Sequence, residues 1–302
     1  LSPIVMANVY YSTTWQYAEM NTYYPDLIEI PTLQIGGWYD HNIDEMMDFY
    51  KASRNEAAID VQDEQWLLVG PWVHGGTGIA FVGSATQGQL TYPNAELVNN
   101  DMAWDFFEYY LLDSANNWNS TPKITYYELG TDVWQSSNES DIAIPDFEVL
   151  YLNSSNRLTA EIGNGSSSIV CDPADPSPTI GGATLHPDLD QGPYNQTYLD
   201  GRDDIYTFET DTLTDPISIT GRITLNLYIS STSTDCDIAV RLVDQYPDGT
   251  NMLITDGIKR MRFRNGYTLA DETLMVPGEI YEVQVAMPFT NYTWLPDHKI
   301  KI

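Results

Sequence analysis

The sequence predicts a two-part molecule: an α/β portion built on a parallel sheet, followed by an all-β sandwich or jelly roll. Three observations carry that expectation. Leu33-Gln34-Ile35-Gly36-Gly37-Trp38, introduced by Pro31, and Trp66-Leu67-Leu68-Val69 are short apolar runs separated by one helical pattern. Strand, helix, strand at this spacing is a βαβ unit, and a run that is apolar throughout suits a parallel strand covered on both faces. Past Leu112 no helical period returns. Ile217, Ile219, Ile223, Leu225, Leu227 and Ile229 alternate with mostly polar residues, as do Ile238, Val240, Leu242 and then Tyr281, Val283, Val285, Met287. That period of two is the signature of half-buried strands.

The helix between the first two strands follows from Ile43, Met46, Met47 and Tyr50, which fall on one helical face, with Asn42 and Glu45 spaced as a capping box. A second helix is expected over 99–112, with Met102, Phe106, Tyr109 and Tyr110 on one face. Residues 113–122 are a polar connector with three Asn and one Pro, which sets the boundary of the second portion near residue 119. Tyr246-Pro247-Asp248-Gly249 reads as a turn, and 163–188, rich in Gly, Ser, Pro and Asp, as a long loop. The expected division is 1–30, 31–118 and 119–302.

The chain has 302 residues, with 43 acidic against 13 basic side chains and a formal charge of −30. Such a surface repels nucleic acid and anionic lipid, so neither is an expected partner. No run of 18 apolar residues exists, and the start at Leu1 carries no basic and apolar leader. The chain therefore reads as one entered in the middle. Sequons at Asn119, Asn138, Asn153, Asn164, Asn195 and Asn291 point toward an extracellular or cell-surface place, although a cytoplasmic one fits the same composition. Cys171 and Cys236 are the two cysteines. They form no CxxC or Cys/His cluster, so no metal site is expected, and a disulfide between them stays open. Composition does not fix the oligomeric state.

Two strand ends attract chemistry. The first strand ends in Gly37-Trp38-Tyr39-Asp40 and the second in Gly70-Pro71-Trp72-Val73-His74-Gly75-Gly76. Sites in open parallel sheets form beyond the carboxyl ends of strands, so an Asp and a His on neighbouring loops can meet there. That pair is what a Ser-His-Asp triad needs: the carboxylate fixes the imidazole tautomer and stabilises the imidazolium formed when His takes the serine proton. Taken singly, an Asp after a strand is more often a cap or turn former.

The Gly-Trp-Tyr-Asp and Gly-Pro-Trp-x-His-Gly-Gly motifs resemble the acid and histidine motifs of the CocE/NonD serine hydrolases, which are related to the X-Pro dipeptidyl-peptidases. The likeness runs on through Asp172-Pro173, Asp175-Pro176, Pro178-Thr179 and Gly181-Gly182, then Arg202-Asp203-Asp204, Ile219-Thr220-Gly221 and the run Asp237–Asp244. The tail His298-Lys299-Ile300-Lys301-Ile302 is similar to a family strand in which Gly precedes the His; here Asp297 stands in its place. The resemblance implies the C-terminal part of an α/β-hydrolase domain followed by a jelly roll. It implies Asp40 as triad acid, His74 as general base, no cofactor, and residues 1–30, rich in Tyr and Trp (Tyr10, Tyr11, Trp15, Tyr17, Tyr23, Tyr24), as the end of a helical cap.

The departures are as informative. No serine stands in a Gly-x-Ser-x-Gly elbow; Ser84 and Ser166 come nearest but follow the Asp, the wrong chain order for this fold. The nucleophile and oxyanion donors are therefore expected in a segment N-terminal to this chain, and this chain alone is expected to be inactive. Where amino-acid ester hydrolases of the family place carboxylates after the acid, this sequence has His41, Asn42 and Ile43. Trp38, Tyr39, His41 and Trp72 are the candidate substrate-binding residues by proximity to the acid and base. The Asp-rich segments 172–175 and 200–204 lack a regular calcium-ligand pattern, and His186 and His298 read as structural. The expected activity is hydrolysis of a small ester or amide, or of an X-Pro peptide. The alternative is a non-enzymatic module whose jelly roll binds carbohydrate or a protein partner.

Overall fold

A computed structural model describes residues 2–20, 24–75, 83–139, 141–142, 147–186 and 188–302. Tyr23 and Gly76 of the features above lie outside these. In chain order the main elements are α1 (Ser2–Ala7), α2 (Thr13–Met20), β1 (Thr32–Tyr39), α3 (Ile43–Glu56), β2 (Gln65–Val73), β3 (Thr86–Gln87), β4 (Leu90–Thr91) and α4 (Val98–Leu112). There follow β5 (Ile124–Glu128), β6 (Val133–Ser137), β7 (Tyr151–Leu152), β8 (Leu158–Thr159), β9 (Ile217–Ile229), β10 (Asp237–Gln245), β11 (Asn251–Arg260), β12 (Tyr281–Trp294) and β13 (Lys299–Lys301). No helix among the described residues is long and apolar enough to cross a membrane.

The first sheet runs β1-β2-β5-β6, with β1, β2 and β5 parallel and β6 returning antiparallel. The polar connector breaks the sequence texture but not this sheet. β5 and β6 fall after residue 119, yet β5 pairs with β2 and β6 with β5, so the sheet runs across the expected boundary. Leu67, Leu68 and Val69 of β2 are wholly buried, as expected for a strand covered on both faces. On one face α4 packs Phe106 against Trp66 and Trp118. On another, Ile43, Met47 and Tyr50 of α3 enter the main core.

The expected capping box does not form: neither Asn42 nor any other side chain caps α3. The amide of Asn42 instead donates to Asp40 Oδ1 at 2.8 Å, so the turn into the helix belongs to the aspartate before it. The aspartate sits two residues upstream, where an Asx turn outcompetes the box.

The second portion is a sandwich. β9 and β12 form a long antiparallel ribbon, and β11-β10-β13 form the facing sheet. Alternate residues Ile219, Ile223, Leu225, Val285 and Met287 point inward and meet Val240, Leu242, Ile254 and Ile300. Asp297, at the place where the family strand carries Gly, has φ 69°, a left-handed conformation that Gly adopts most easily and Asp tolerates. Of the sequons, Asn291 is buried inside β12 and donates to Thr220 Oγ1. Cys171 and Cys236 are both free thiols. Cys236 packs beside Met275, Sγ to Sδ 3.9 Å.

The two portions share one core. Trp38, Tyr39, Tyr127 and Leu129 from the first belong to the same buried cluster as Val285, Phe289, Tyr292 and Trp294 from the second. Arg222 on β9 reaches across to Asp44 at 2.9 Å and Asp48 at 2.8 Å on α3. One core implies one cooperative unit. In urea, tryptophan fluorescence and far-UV circular dichroism are expected to report a single coincident transition. Met287→Ala should move that whole transition by about 2–5 kcal/mol, the usual cost of a buried cavity. Two separated transitions, or one that moves alone, would show the portions to be energetically independent.

Candidate functional site

The Asp and His expected to meet do meet. His74 Nδ1 lies 2.9 Å from Asp40 Oδ2 and 3.1 Å from Oδ1. Asp40 follows the last residue of β1, His74 follows the last residue of β2, and the two strands are parallel neighbours. The Asp40 side chain is 16% exposed and that of His74 30%, so the pair sits at the lip of the sheet and Nε2 can face a reacting group.

Local sequence explains how the loops are aimed. β1 and β2 keep register as far as Gly37↔Gly70, and the next pair is Tyr39↔Val73, so β2 carries an extra residue. Pro71 stands in that bulge, where its missing N–H interrupts no ladder. The backbone of Trp72 then presses against β1: a Cβ on Gly37 would lie 2.0 Å from the Trp72 carbonyl oxygen. A Cβ on Gly70 would lie 2.4 Å from the Trp72 ring. Both glycines are needed to let this kink form, and the kink re-aims Val73-His74 over Asp40. Gln87 on β3, itself buried, accepts the Val73 amide at 3.0 Å and holds the outgoing loop.

Asp40 carries more than His74. It accepts the Asn42 amide, and His41 Nδ1 lies 3.2 Å from Oδ1. The His41 and His74 rings sit edge to face with centroids 4.7 Å apart. Three ligand atoms of Asp40, His41 and His74 lie within 4.8 Å of one another, close enough to be tested as a metal centre. The donor set fits poorly, because both Nδ1 atoms already address the Asp40 carboxylate. A nitrogen that donates its proton there has no lone pair for an ion.

Three of the four expected substrate-binding residues are core residues instead. Trp38 is buried, donates from Nε1 to the Tyr127 carbonyl at 2.6 Å and stacks on Phe289. Tyr39 is buried with its hydroxyl 2.7 Å from that of Tyr92, and burial pushes both phenols well above their usual range. Trp72 is buried beside Trp134. Successive residues of a strand point to opposite faces, and both faces of this strand end are covered, which proximity in sequence cannot reveal. His41 remains half-exposed beside the pair.

The Asp-rich segments are occupied by cations of the chain itself. Arg202 holds Asp204 and Asp175, and Lys301 holds Asp200 at 2.8 Å. Tyr10, in the N-terminal segment, packs edge-on against Phe263 and bonds Glu272, so the segment lies against the second portion. The sequence reading missed a second Asp–His pair. His298 Nδ1 lies 2.8 Å and 2.9 Å from the Asp244 oxygens, and the Tyr292 hydroxyl donates to Asp244 at 2.7 Å. The 54 positions between them hid the pair; the β10–β13 pairing brings them together.

Comparison with known proteins places this geometry. Residues 4–76 match the model of the X-Pro dipeptidyl-peptidase (S15) family, and 116–302 match the X-Pro dipeptidyl-peptidase C-terminal non-catalytic domain. The cocaine esterase of Rhodococcus sp. (strain MB1 Bresler) is 34% identical over 285 residues, covering 90% of this chain and 48% of that protein. The chain belongs to the CocE/NonD family of serine hydrolases. A putative serine esterase of Mycobacterium bovis is 24% identical over 268 residues, 78% of this chain and 39% of that one. Among solved structures, an α-amino acid ester hydrolase superposes with a TM-score of 0.82 at 23% identity, over 98% of this chain and 51% of the other. An aminopeptidase from a marine sediment Thaumarchaeota archaeon gives 0.81 at 22%, over 99% and 51%. These two share the fold, an α/β domain followed by a β-sandwich. The chain spans about half the length of the curated relatives it matches.

Gly37→Ala is expected to cost about 1–3 kcal/mol, because the added methyl meets backbone that cannot retreat without undoing the bulge. Chemical denaturation checks the cost. A variant as stable as the parent would show that the strands close without this close approach.

Proposed function

We propose that this chain supplies the acid and the base of a Ser-His-Asp triad in an ester or amide hydrolase, with the serine carried by a segment outside it. The observation that supports this reading best is the paired contact of His74 Nδ1 with both Asp40 oxygens at the carboxyl ends of adjacent parallel strands. A second support is the sheet itself. Among the described residues β1 is its terminal strand, so one edge of the strand that leads to Asp40 is free to take a further parallel strand. Family members about twice this length leave room for such a segment.

In this mechanism Asp40 holds the imidazole with Nδ1 protonated, which leaves the Nε2 lone pair for chemistry. Nε2 takes the proton of the serine hydroxyl as its oxygen attacks the substrate carbonyl. The resulting imidazolium, steadied by Asp40, returns that proton to the leaving alcohol or amine as the tetrahedral intermediate collapses to an acyl-enzyme. Water then repeats the sequence and releases the acid. No residue described here requires a metal or an organic cofactor for these steps. The substrate class is an acyl ester, an acylase amide or an X-Pro peptide. His41, exposed beside the pair, is placed to touch it.

The test is the full-length protein assayed on p-nitrophenyl esters and X-Pro anilides. His74→Ala should lower kcat by about 10⁶-fold and Asp40→Asn by about 10⁴-fold, as losses from a triad do. Hydrolysis unchanged in His74→Ala removes this pair from the mechanism. This chain alone should turn over neither substrate, and activity should return when it is refolded with the N-terminal segment. Turnover by the chain alone would place the nucleophile within it.

A further inference from the structure

A cavity lies where the two portions meet, with a volume of about 180 Å³. Leu90, Thr91 and Tyr92 from the β3–β4 hairpin, Gly130 and Asp132 from the β5–β6 turn, and Asp244, Tyr246, Tyr292, Leu295 and His298 from the sandwich line it. Its charges are unevenly matched. Asp244 is fully engaged, with His298 and Tyr292 on its two oxygens, so that carboxylate and the imidazole answer one another. Asp132 has no such answer. Burial raises its carboxyl above the usual range, the Gly130 backbone opposes that rise, and no basic side chain contributes. Its charge also disfavours ionisation of the Tyr39, Tyr92, Tyr127 and Tyr246 phenols, so it stands among tyrosine rings. No Lys or Arg lines the cavity.

We propose that this seam cavity binds a small organic ammonium group, with Asp132 as its counter-charge and the Tyr92, Tyr246 and Tyr292 rings as its walls. A half-buried carboxylate held by one backbone hydrogen bond and no basic side chain costs stability, and a cation entering the cavity recovers it. Aromatic faces and edges of leucine suit a weakly hydrated alkylammonium rather than a bare metal ion. Calcium would need six or more oxygens, whereas Asp132 is the one carboxylate in the lining without a side-chain partner. The volume admits a group of several heavy atoms. The site is built from both portions, so its occupant would also tie the hairpin and the turn of the first to β10, β12 and β13 of the second.

The proposal is independent of the triad, and its test touches neither Asp40 nor His74. The protein is titrated with tetramethylammonium and with isobutylammonium chloride by calorimetry. Isobutanol serves as the neutral control and potassium chloride holds the ionic strength. Saturable binding of the ammonium ions is expected at millimolar concentration, without binding of isobutanol, and with a rise in Tm on saturation. Asp132→Asn should weaken the ammonium ions at least tenfold while raising the Tm of the unliganded protein, because the uncompensated charge is gone. Leu295→Trp, which fills the cavity and leaves the charge, should abolish binding by exclusion. Absence of saturable binding, equal binding of isobutanol, or affinity unchanged in Asp132→Asn would each overturn the assignment. If Asp132→Asn fails to fold, the Leu295→Trp result decides: binding undiminished in that variant places the ammonium elsewhere.

Discussion

The functional reading depends on one hydrogen-bonded contact, that between His74 and Asp40. Neither residue has a fixed position of its own: each stands on the first residue after a strand, and loops are free to point anywhere. What fixes the contact is the packing of two backbones. β1 and β2 run parallel and in register, and β2 then gains a residue at Pro71, with Trp72 pressed into the space that Gly37 and Gly70 leave empty. The kink turns the chain so that His74 faces the carboxylate, while Asn42 and Gln87 hold the two outgoing loops from behind. The contact thus depends on side-chain atoms omitted from two glycines.

The same economy governs the meeting of the two portions. The strand that ends in the acid also places Trp38 and Tyr39 into a core completed by β12 of the sandwich. A β domain whose family counterpart is described as non-catalytic therefore acts on the site mechanically. It covers the C-terminal end of β1, pins α3 through Arg222 and closes a cavity against the β5–β6 turn.

Much of the architecture was legible in the sequence because it rests on local period. β9 and β12 follow the alternation of Ile217–Ile229 and Tyr281–Met287, and α4 spans 98–112 where its apolar stripe predicted it. The pairing of Asp40 with His74 was legible because strand ends in parallel sheets are few and motif spacing is specific. What was not legible depends on register and on distant partners. The bulge at Pro71 shows only when β1 is laid beside β2. The capping box at Asn42 looked sound until Asp40 took its amide. Trp38, Tyr39 and Trp72 stand close to Asp40 and His74 in sequence, yet their rings are buried because both faces of the sheet are covered. Asp244 and His298 meet only because β13 closes onto β10.

The central claim is that Asp40 and His74 are hydrogen bonded through Nδ1, and nuclear magnetic resonance of the imidazole protons measures this most directly. The account predicts a low-field Nδ1–H resonance that vanishes in both His74→Gln and Asp40→Asn and survives in His298→Gln, which separates it from the Asp244 pair. A spectrum in which no such resonance responds to substitution of His74 or Asp40 would contradict it.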